Sequence, residues 1–279
     1  MKFNESKCSV LHIGKGNLKK NYMMGHAPLK VVEKERELGV VVLAVDTLCW
    51  EEQIRGMIGK AKQMKSWIIR NVVSWKPELL IPFYKALVRH HLEYAVQVWA
   101  PTARHGNWGI IMEIEDCQRQ FTRIIEGMGL LSYRLGLQRL RLTTSLERRM
   151  RGDLIETFKI INGFVNYGHN MFGMNTAYRT RNLNVTSHHR LRSAHDFFNN
   201  RIIKYWNQLQ LLRNSTSINA FKAGLDLFRL SEPDSLNGFW KLSEEIFNRI
   251  RDKSEHVDYL LANLRCCHAA KYLVLNISF

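Results

Sequence analysis

From about residue 50 onward, apolar residues recur at three- and four-residue steps. Ile54, Met57, Ile58, Ala61, Met64, Trp67 and Ile68 form one such stripe, the face that an amphipathic helix turns toward a core. Arg55, Lys60, Lys62 and Lys65 fall on the rest of that circumference. A second helix is expected over 78–99, with Pro77 and Pro82 near its first turn, where proline is tolerated. It is expected to bury Leu80, Phe83, Tyr84, Leu87, Tyr94 and Val98 and to stop before Pro101. A third runs over 112–126 on Ile114, Cys117, Phe121 and Ile124, ending at Gly127. The best-defined begins at Thr144-Ser145-Leu146-Glu147, a T-x-x-E capping box. It continues through Met150, Leu154, Phe158 and Ile161 to a stop at Asn162-Gly163. Shorter helices are expected over 195–209 and 217–230.

Before residue 45 the period is two rather than 3.6. Cys8-Ser9-Val10-Leu11-His12-Ile13 alternates, Leu29-Lys30-Val31-Val32 follows a Gly/Asn/Lys turn, and Leu38 to Leu43 is apolar and β-branched. These read as short strands, with Glu33 to Glu37 as one arm of a hairpin. The pattern therefore predicts a mainly α protein with a small N-terminal antiparallel β element, an α+β class dominated by a helical bundle. A strand so near residue 1 normally has a partner before it, so the opening reads as part of a sheet whose first half is missing. Four stretches are expected: a β element over 1–45, a helical region over 50–165, a basic helical region over 166–230, and a divergent tail over 231–279.

Composition adds one fact to this picture. Hydrophobic residues at 46% and charged residues at 24% are ordinary for a folded chain. But 41 Lys and Arg against 25 Asp and Glu give a formal charge of +16, which favours a polyanionic partner. Residues 165–215 alone carry seven Lys/Arg and one acid, Asp196. Arg179 with Arg181, and Arg190 with Arg192, alternate so that each pair would share one face of an extended chain. Arg148, Arg149 and Arg151 cluster on the capped helix, close after Arg139 and Arg141. With Phe197, Phe198, Tyr205 and Trp206 nearby, these residues could grip a nucleic-acid backbone and stack on bases. The bland alternative is a solvated helix face with core aromatics.

Catalytic signals are missing. Gly14-Lys15-Gly16-Asn17 has neither the spacing nor the Lys-Ser/Thr of a P-loop and reads as a turn, with Lys15 retained only as a phosphate contact. Cys266-Cys267-His268 and His188-His189 lack the spacing of zinc ligands, and His90-His91 reads as structural. No G-x-S-x-G elbow occurs, and the eight aspartates are scattered without a pair. Five cysteines in no regular spacing and the lack of a signal sequence fit an intracellular protein of nucleus or cytoplasm, not a secreted one. No apolar run approaches the ~20 residues of a membrane span.

Several stretches together resemble one family. Phe3-Asn4-Glu5-Ser6-Lys7-Cys8 with Val10-Leu11-His12-Ile13-Gly14 resembles the strand that follows the active-site motif in reverse transcriptases of LINE-type (non-LTR) retrotransposons. Glu37-Leu38-Gly39-Val40 is similar to that family's "DLGV" strand. Residues 81–101, IPFYKALVRHHLEYAVQVWAP, are similar to its "LYKALVRPHLEY..Q.W.P" segment, with His90 in place of proline. Residues 142–163 resemble "L.TLEERR.RGDLIE.FKI..G", residues 198–209 resemble "FF..RV...WN.LP", and residues 217–225 resemble "S...FK..LD". The likeness is collinear from residue 3 to about 228; residues 231–279 fall outside it.

The resemblance implies the end of a polymerase palm over 1–45, a helical thumb over 50–165, and a region downstream of it. It places the F/Y-x-D-D motif and its two magnesium ions before Met1, so the chain as given is expected to be no enzyme, with no cofactor of its own. Lys7 alone matches a family position proposed to assist the leaving group, and is at most a vestige. The expected function is that of a truncated, retrotransposon-derived reverse-transcriptase-like protein with sequence-independent RNA or DNA (template–primer) binding, through Lys15, Arg148, Arg149, Arg151, Arg179, Arg181, Arg190 and Arg192. Two other readings stand beside it: a gene-model fragment of an active RNA-directed DNA polymerase, and a helical interaction module. The oligomeric state is not legible from the sequence.

Overall fold

The computed structural model describes residues 4, 7–14, 16–43, 50–101, 107–165, 173–174, 183–184, 197–231 and 244–251. Short strands come first: β1 (Ser9–Leu11), β2 (Met23–Met24), β3 (Ala27–Pro28), β4 (Lys30–Val32), β5 (Lys34–Glu37) and β6 (Val40–Leu43). They pair two by two. β2 with β3 and β5 with β6 are antiparallel, whereas β1 lies parallel to β4 in the register Ser9↔Lys30. The β5–β6 turn is Leu38-Gly39, both at positive φ (46° and 85°), the backbone twist that a two-residue hairpin needs. Gly14 and Gly16 also sit at positive φ, and Asn17 N–H donates to the Gly14 carbonyl at 3.2 Å. That segment is a turn, although Lys15 lies outside the described residues.

Helices follow, giving the mainly helical α+β class expected: α1 (Glu51–Asn71), α2 (Pro77–Phe83), a π-helical turn (Tyr84–Val88), α3 (Arg89–Glu93), α4 (Val96–Trp99), α5 (Trp108–Thr122), α6 (Tyr133–Arg139), α7 (Ser145–Ile161), α8 (Phe198–Gln208) and α9 (Ile218–Ser231). A further helix, α10, covers 244–251. Two short strands, β7 (Gly173–Met174) and β8 (Leu183–Asn184), pair between α7 and α8.

The stripe of α1 is buried at Ile54, Met57, Ile58, Ala61 and Ile68 and half-buried at Met64, but Trp67, expected on the same face, is exposed. It packs with Leu80, Tyr84, Val88, Leu92, Trp99, Ile114, Cys117 and Phe121 in one core. A second core joins Leu154, Phe158, Ile202, Trp206, Phe221 and Leu225 from α7, α8 and α9, with the Phe158 and Phe221 rings stacked at 4.3 Å. The boundary expected near residue 165 thus runs through a packed unit. A third, smaller cluster sets Ile246 and Ile250 of α10 against Ile111, Met112 and Leu146.

The expected single helix over 78–99 is broken. After the π-helical turn, Ala95 adopts the left-handed region (φ 52°), and the Trp99 indole N–H donates to the Tyr94 carbonyl at 2.6 Å. The break rotates the last turn, so Tyr94 and Val98, expected in the core, are half exposed. α5 starts four residues earlier than its stripe suggested, while Gly127 (φ 76°) closes the turns after it as expected.

Candidate nucleic-acid interface

α7 holds the arginines that the sequence nominated most strongly. Its start is fixed by Thr144, whose Oγ1 accepts the Glu147 N–H at 3.2 Å, satisfying one of the orphan donors of the first turn. From there the three arginines diverge, because successive positions on a helix lie about 100° apart. Arg148 reaches α3 and grips both carboxylate oxygens of Glu93, which Arg89 also approaches at 3.5 Å. Arg151 forks onto Asp226 of α9, with both contacts at 2.9 Å. Arg149 points inward and is only 3% exposed. A guanidinium so enclosed cannot touch a phosphate in solvent, so Arg149 does not belong to a basic surface. Arg148 and Arg151 contribute to one only through their remaining N–H groups.

Arg149 ends in a polar seam between the helices. Its three guanidinium nitrogens have no hydrogen-bond partner among the described residues, and burial pushes its pKa down to about 10 against the attraction of Glu115 and Asp153. Asp153, one turn further on, binds Arg201 of α8 through two contacts at 2.9 and 3.1 Å, and Arg201 also donates to the Val96 carbonyl at 2.9 Å. Both partners are almost wholly enclosed. Glu115, fully buried on α5, accepts the Tyr133 hydroxyl at 2.5 Å and the Ser145 N–H at 2.9 Å. Burial raises its carboxyl above the ordinary range. Gln118 completes the seam, accepting the Tyr84 hydroxyl at 2.6 Å and donating to Tyr133 Oη and the Thr143 carbonyl. Sequence periodicity gave no sign of this seam; the charged positions inside α7 and α8 were its only trace.

The remaining nominated residues are dispersed. Lys7 is exposed in a turn where its N–H donates to the Asn4 carbonyl at 3.1 Å. Lys15, Arg179, Arg181, Arg190 and Arg192 lie outside the described residues. Phe198 and Trp206 are core residues rather than stacking platforms. Among the described residues no group of three or more His, Cys, Asp or Glu is placed to hold a metal ion.

Exposed cations without an ion pair to any described residue lie elsewhere. α1 presents Lys60, Lys62 and Arg70; Lys76 and Lys85 follow on and before α2 and the π-helical turn. Arg123, Arg139 and Arg141 flank α6, and Lys204 is on α8. Over the helical part of the described chain the exposed unpaired acids are Glu78, Glu113 and Glu126 alone. Most other acids there are engaged: Glu51, Glu93, Asp116, Asp153, Glu156 and Asp226 each hold a cation. Trp67 and Trp75 are exposed beside Arg70 and Lys76 in the chain, and the Trp75 carbonyl accepts the Glu126 N–H at 2.9 Å, bringing the end of α5 to this corner.

A cleft of about 290 Å³ opens between α5, α6 and α10. Arg119, Arg123, Arg134 and Arg251 line it, with Ser132, Asn248 and Phe247. No residue of this cleft was nominated from the sequence, because the three elements that form it are far apart in the chain and α10 lies in the stretch read as a divergent tail.

Compared with known protein families, curated proteins and solved structures, the chain matches none.

Proposed function

We propose that this chain is a reverse-transcriptase-like protein of the LINE type that, within its 279 residues, lacks the catalytic aspartates and binds RNA or DNA without reading sequence. The observation that carries the reading is the one-sided exposed charge. Most acids in the described helical body are held by cations, and only Glu78, Glu113 and Glu126 stand exposed against Lys60, Lys62, Arg70, Lys76, Lys85 and their counterparts around α6. Cations so placed attract a phosphate backbone and release its counterions, and the exposed Trp67 and Trp75 offer rings on which unpaired bases can stack. The collinear motifs support the family. Their charged positions Asp153 and Arg201 bond to each other across α7 and α8, so two separate motif segments meet in one buried contact.

Fluorescence anisotropy of a labelled template–primer duplex across a salt series tests the binding. The expected result is affinity that falls steeply with salt; no binding at low salt would overturn the proposal. Primer extension in magnesium is expected to give no incorporation, and incorporation by the isolated chain would instead make it an active polymerase.

A second reading, a helical interaction module, has its own observation. Trp67, Val73, Trp75 and Leu79 expose apolar surface around the α1–α2 connection, and clustered exposed apolar residues mark protein-binding sites. A partner held there would bind with little salt dependence.

A further inference from the structure

We infer that the cleft between α5, α6 and α10 is a phosphate-binding site that seats one phosphodiester of a nucleic-acid strand; this assignment rests on the nucleic-acid reading above. Four arginines line a space of about 290 Å³, at the small end of ligand pockets, which run from ~300 Å³ upward. Two of the four are already oriented. Arg119 is held by Asp116 through its Nε at 2.9 Å, and Arg134 by Glu244 through its Nη1 at 2.9 Å, with its guanidinium 5.6 Å above the Phe247 ring. A guanidinium has five N–H donors in a rigid plane, so one carboxylate contact fixes its direction and leaves the others for a second anion. Anchoring of this kind lowers the ordering cost of binding.

Arg123 differs from these two. It is exposed and makes no ion pair among the described residues, which makes it the cation with most to gain from an incoming anion. Arg251 adds a fourth positive charge, and Ser132 and Asn248 add neutral donors at the wall. Against four arginines, the cleft itself contains one carboxylate, Glu244. Its apolar side, Met128, Leu131, Tyr133 and Phe247, suits the sugar or base attached to the phosphate rather than a second charge. Planar forks of several arginines match phosphate oxygens in pairs.

The test compares Arg123→Glu with Lys20→Glu, an equal charge reversal at an exposed residue of the β region that makes no ion pair among the described residues and lies outside the cleft lining. Arg123→Gln serves as a milder variant, and thermal melting by circular dichroism is expected to be unchanged in all three. Binding of a labelled oligonucleotide is expected to weaken about tenfold for Arg123→Glu and about threefold or less for Lys20→Glu, with the salt slope shallower by about one phosphate contact in Arg123→Gln. Equal losses for the two reversals, with the wild type binding normally, would overturn the cleft and leave the nucleic-acid reading standing. Titration with inorganic pyrophosphate, followed by calorimetry, separates the other failures. A wild type that ignores oligonucleotide but binds pyrophosphate in an Arg123-dependent manner would overturn nucleic-acid binding and uphold the phosphate site. Binding of neither probe would overturn both. A polyglutamate peptide that displaces the oligonucleotide as well as pyrophosphate does would overturn the assignment to phosphate.

Discussion

The seam inside α7 and α8 and the rim of the α5–α6–α10 cleft are both rich in arginine, yet they use it in opposite ways. In the seam, Arg201 is locked on Asp153 and Arg149 is enclosed; in the cleft, Arg123 is exposed and unpaired and Arg134 is half exposed on Glu244. A buried guanidinium is a structural commitment, because leaving it without its partner puts a bare charge in an apolar surrounding. A rim guanidinium contributes little to folding, since water screens it in either state. The lesson concerns how charge is read from sequence. A run of arginines on a helix with its own apolar stripe is divided by the helix among three directions, and only part of it meets solvent.

The sharpest way to break this comparison is Asp153→Ala. It strands Arg201 and removes an attraction from Arg149, so urea denaturation is expected to show a loss of about 3–5 kcal/mol. The control, Asp226→Ala, removes the partner of Arg151 in a pair whose carboxylate is largely exposed, and is expected to cost no more than about 1 kcal/mol. Equal losses would mean that the seam is no different from the surface.

Next comes pH. Burial raises the Glu115 and Asp153 carboxyls in the folded chain. A raised folded value means that the native state holds the proton more tightly than the unfolded state does. Each group's contribution is therefore fully present in acid, below the unfolded value, and is lost as pH rises through the folded value. Glu115→Gln is expected to remove that group's share of the dependence, flattening stability against pH by at most ~1.4 kcal/mol per pH unit over that window. An unchanged slope, read from urea midpoints between mildly acidic and neutral pH, would place the titration elsewhere.

Thr144→Ala removes the side-chain cap of α7 and is expected to cost about 1 kcal/mol in thermal or urea unfolding. The smallest stability effect is expected on the outside: Lys60→Glu with Lys62→Glu should stay within about 0.5 kcal/mol of wild type. The same double variant is expected to weaken oligonucleotide binding roughly tenfold and to reduce its salt slope by about two. A large loss of stability here would show that α1's outer face takes part in the fold.

Much of the helical frame was legible. The stripe of α1, the Thr144 cap and the Asn162-Gly163 stop of α7 depend on residues within a turn or two of each other, and the structure puts them where the spacing predicts. Strands β1, β4, β5 and β6 were legible for the same reason, but the two-residue strands β2, β3, β7 and β8 were too short to show a period, and the parallel pairing of β1 with β4 was hidden because a period of two carries no strand direction. The break at Ala95 escaped notice because a local side-chain contact accompanies it, the Trp99 indole on the Tyr94 carbonyl, which no apolar period reports, and alanine itself favours a helix. The cleft escaped for a related reason. Arg119, Arg134 and Arg251 come from three helices, and no local pattern joins α5 to α10.

The β5–β6 hairpin joins the helical body through few contacts: Val41 N–H to Gln53 Oε1 at 2.9 Å, Lys34 Nζ to Glu52 at 2.9 Å, Tyr94 Oη to the Leu38 carbonyl at 2.7 Å, and the buried Val40. Its own ladder is antiparallel, with hydrogen bonds that open one pair after another when the strands are drawn apart. Because Lys34 at the start of β5 pairs with Leu43 at the end of β6, tension drawn between the two ends of this hairpin loads its ladder one pair at a time rather than all pairs at once.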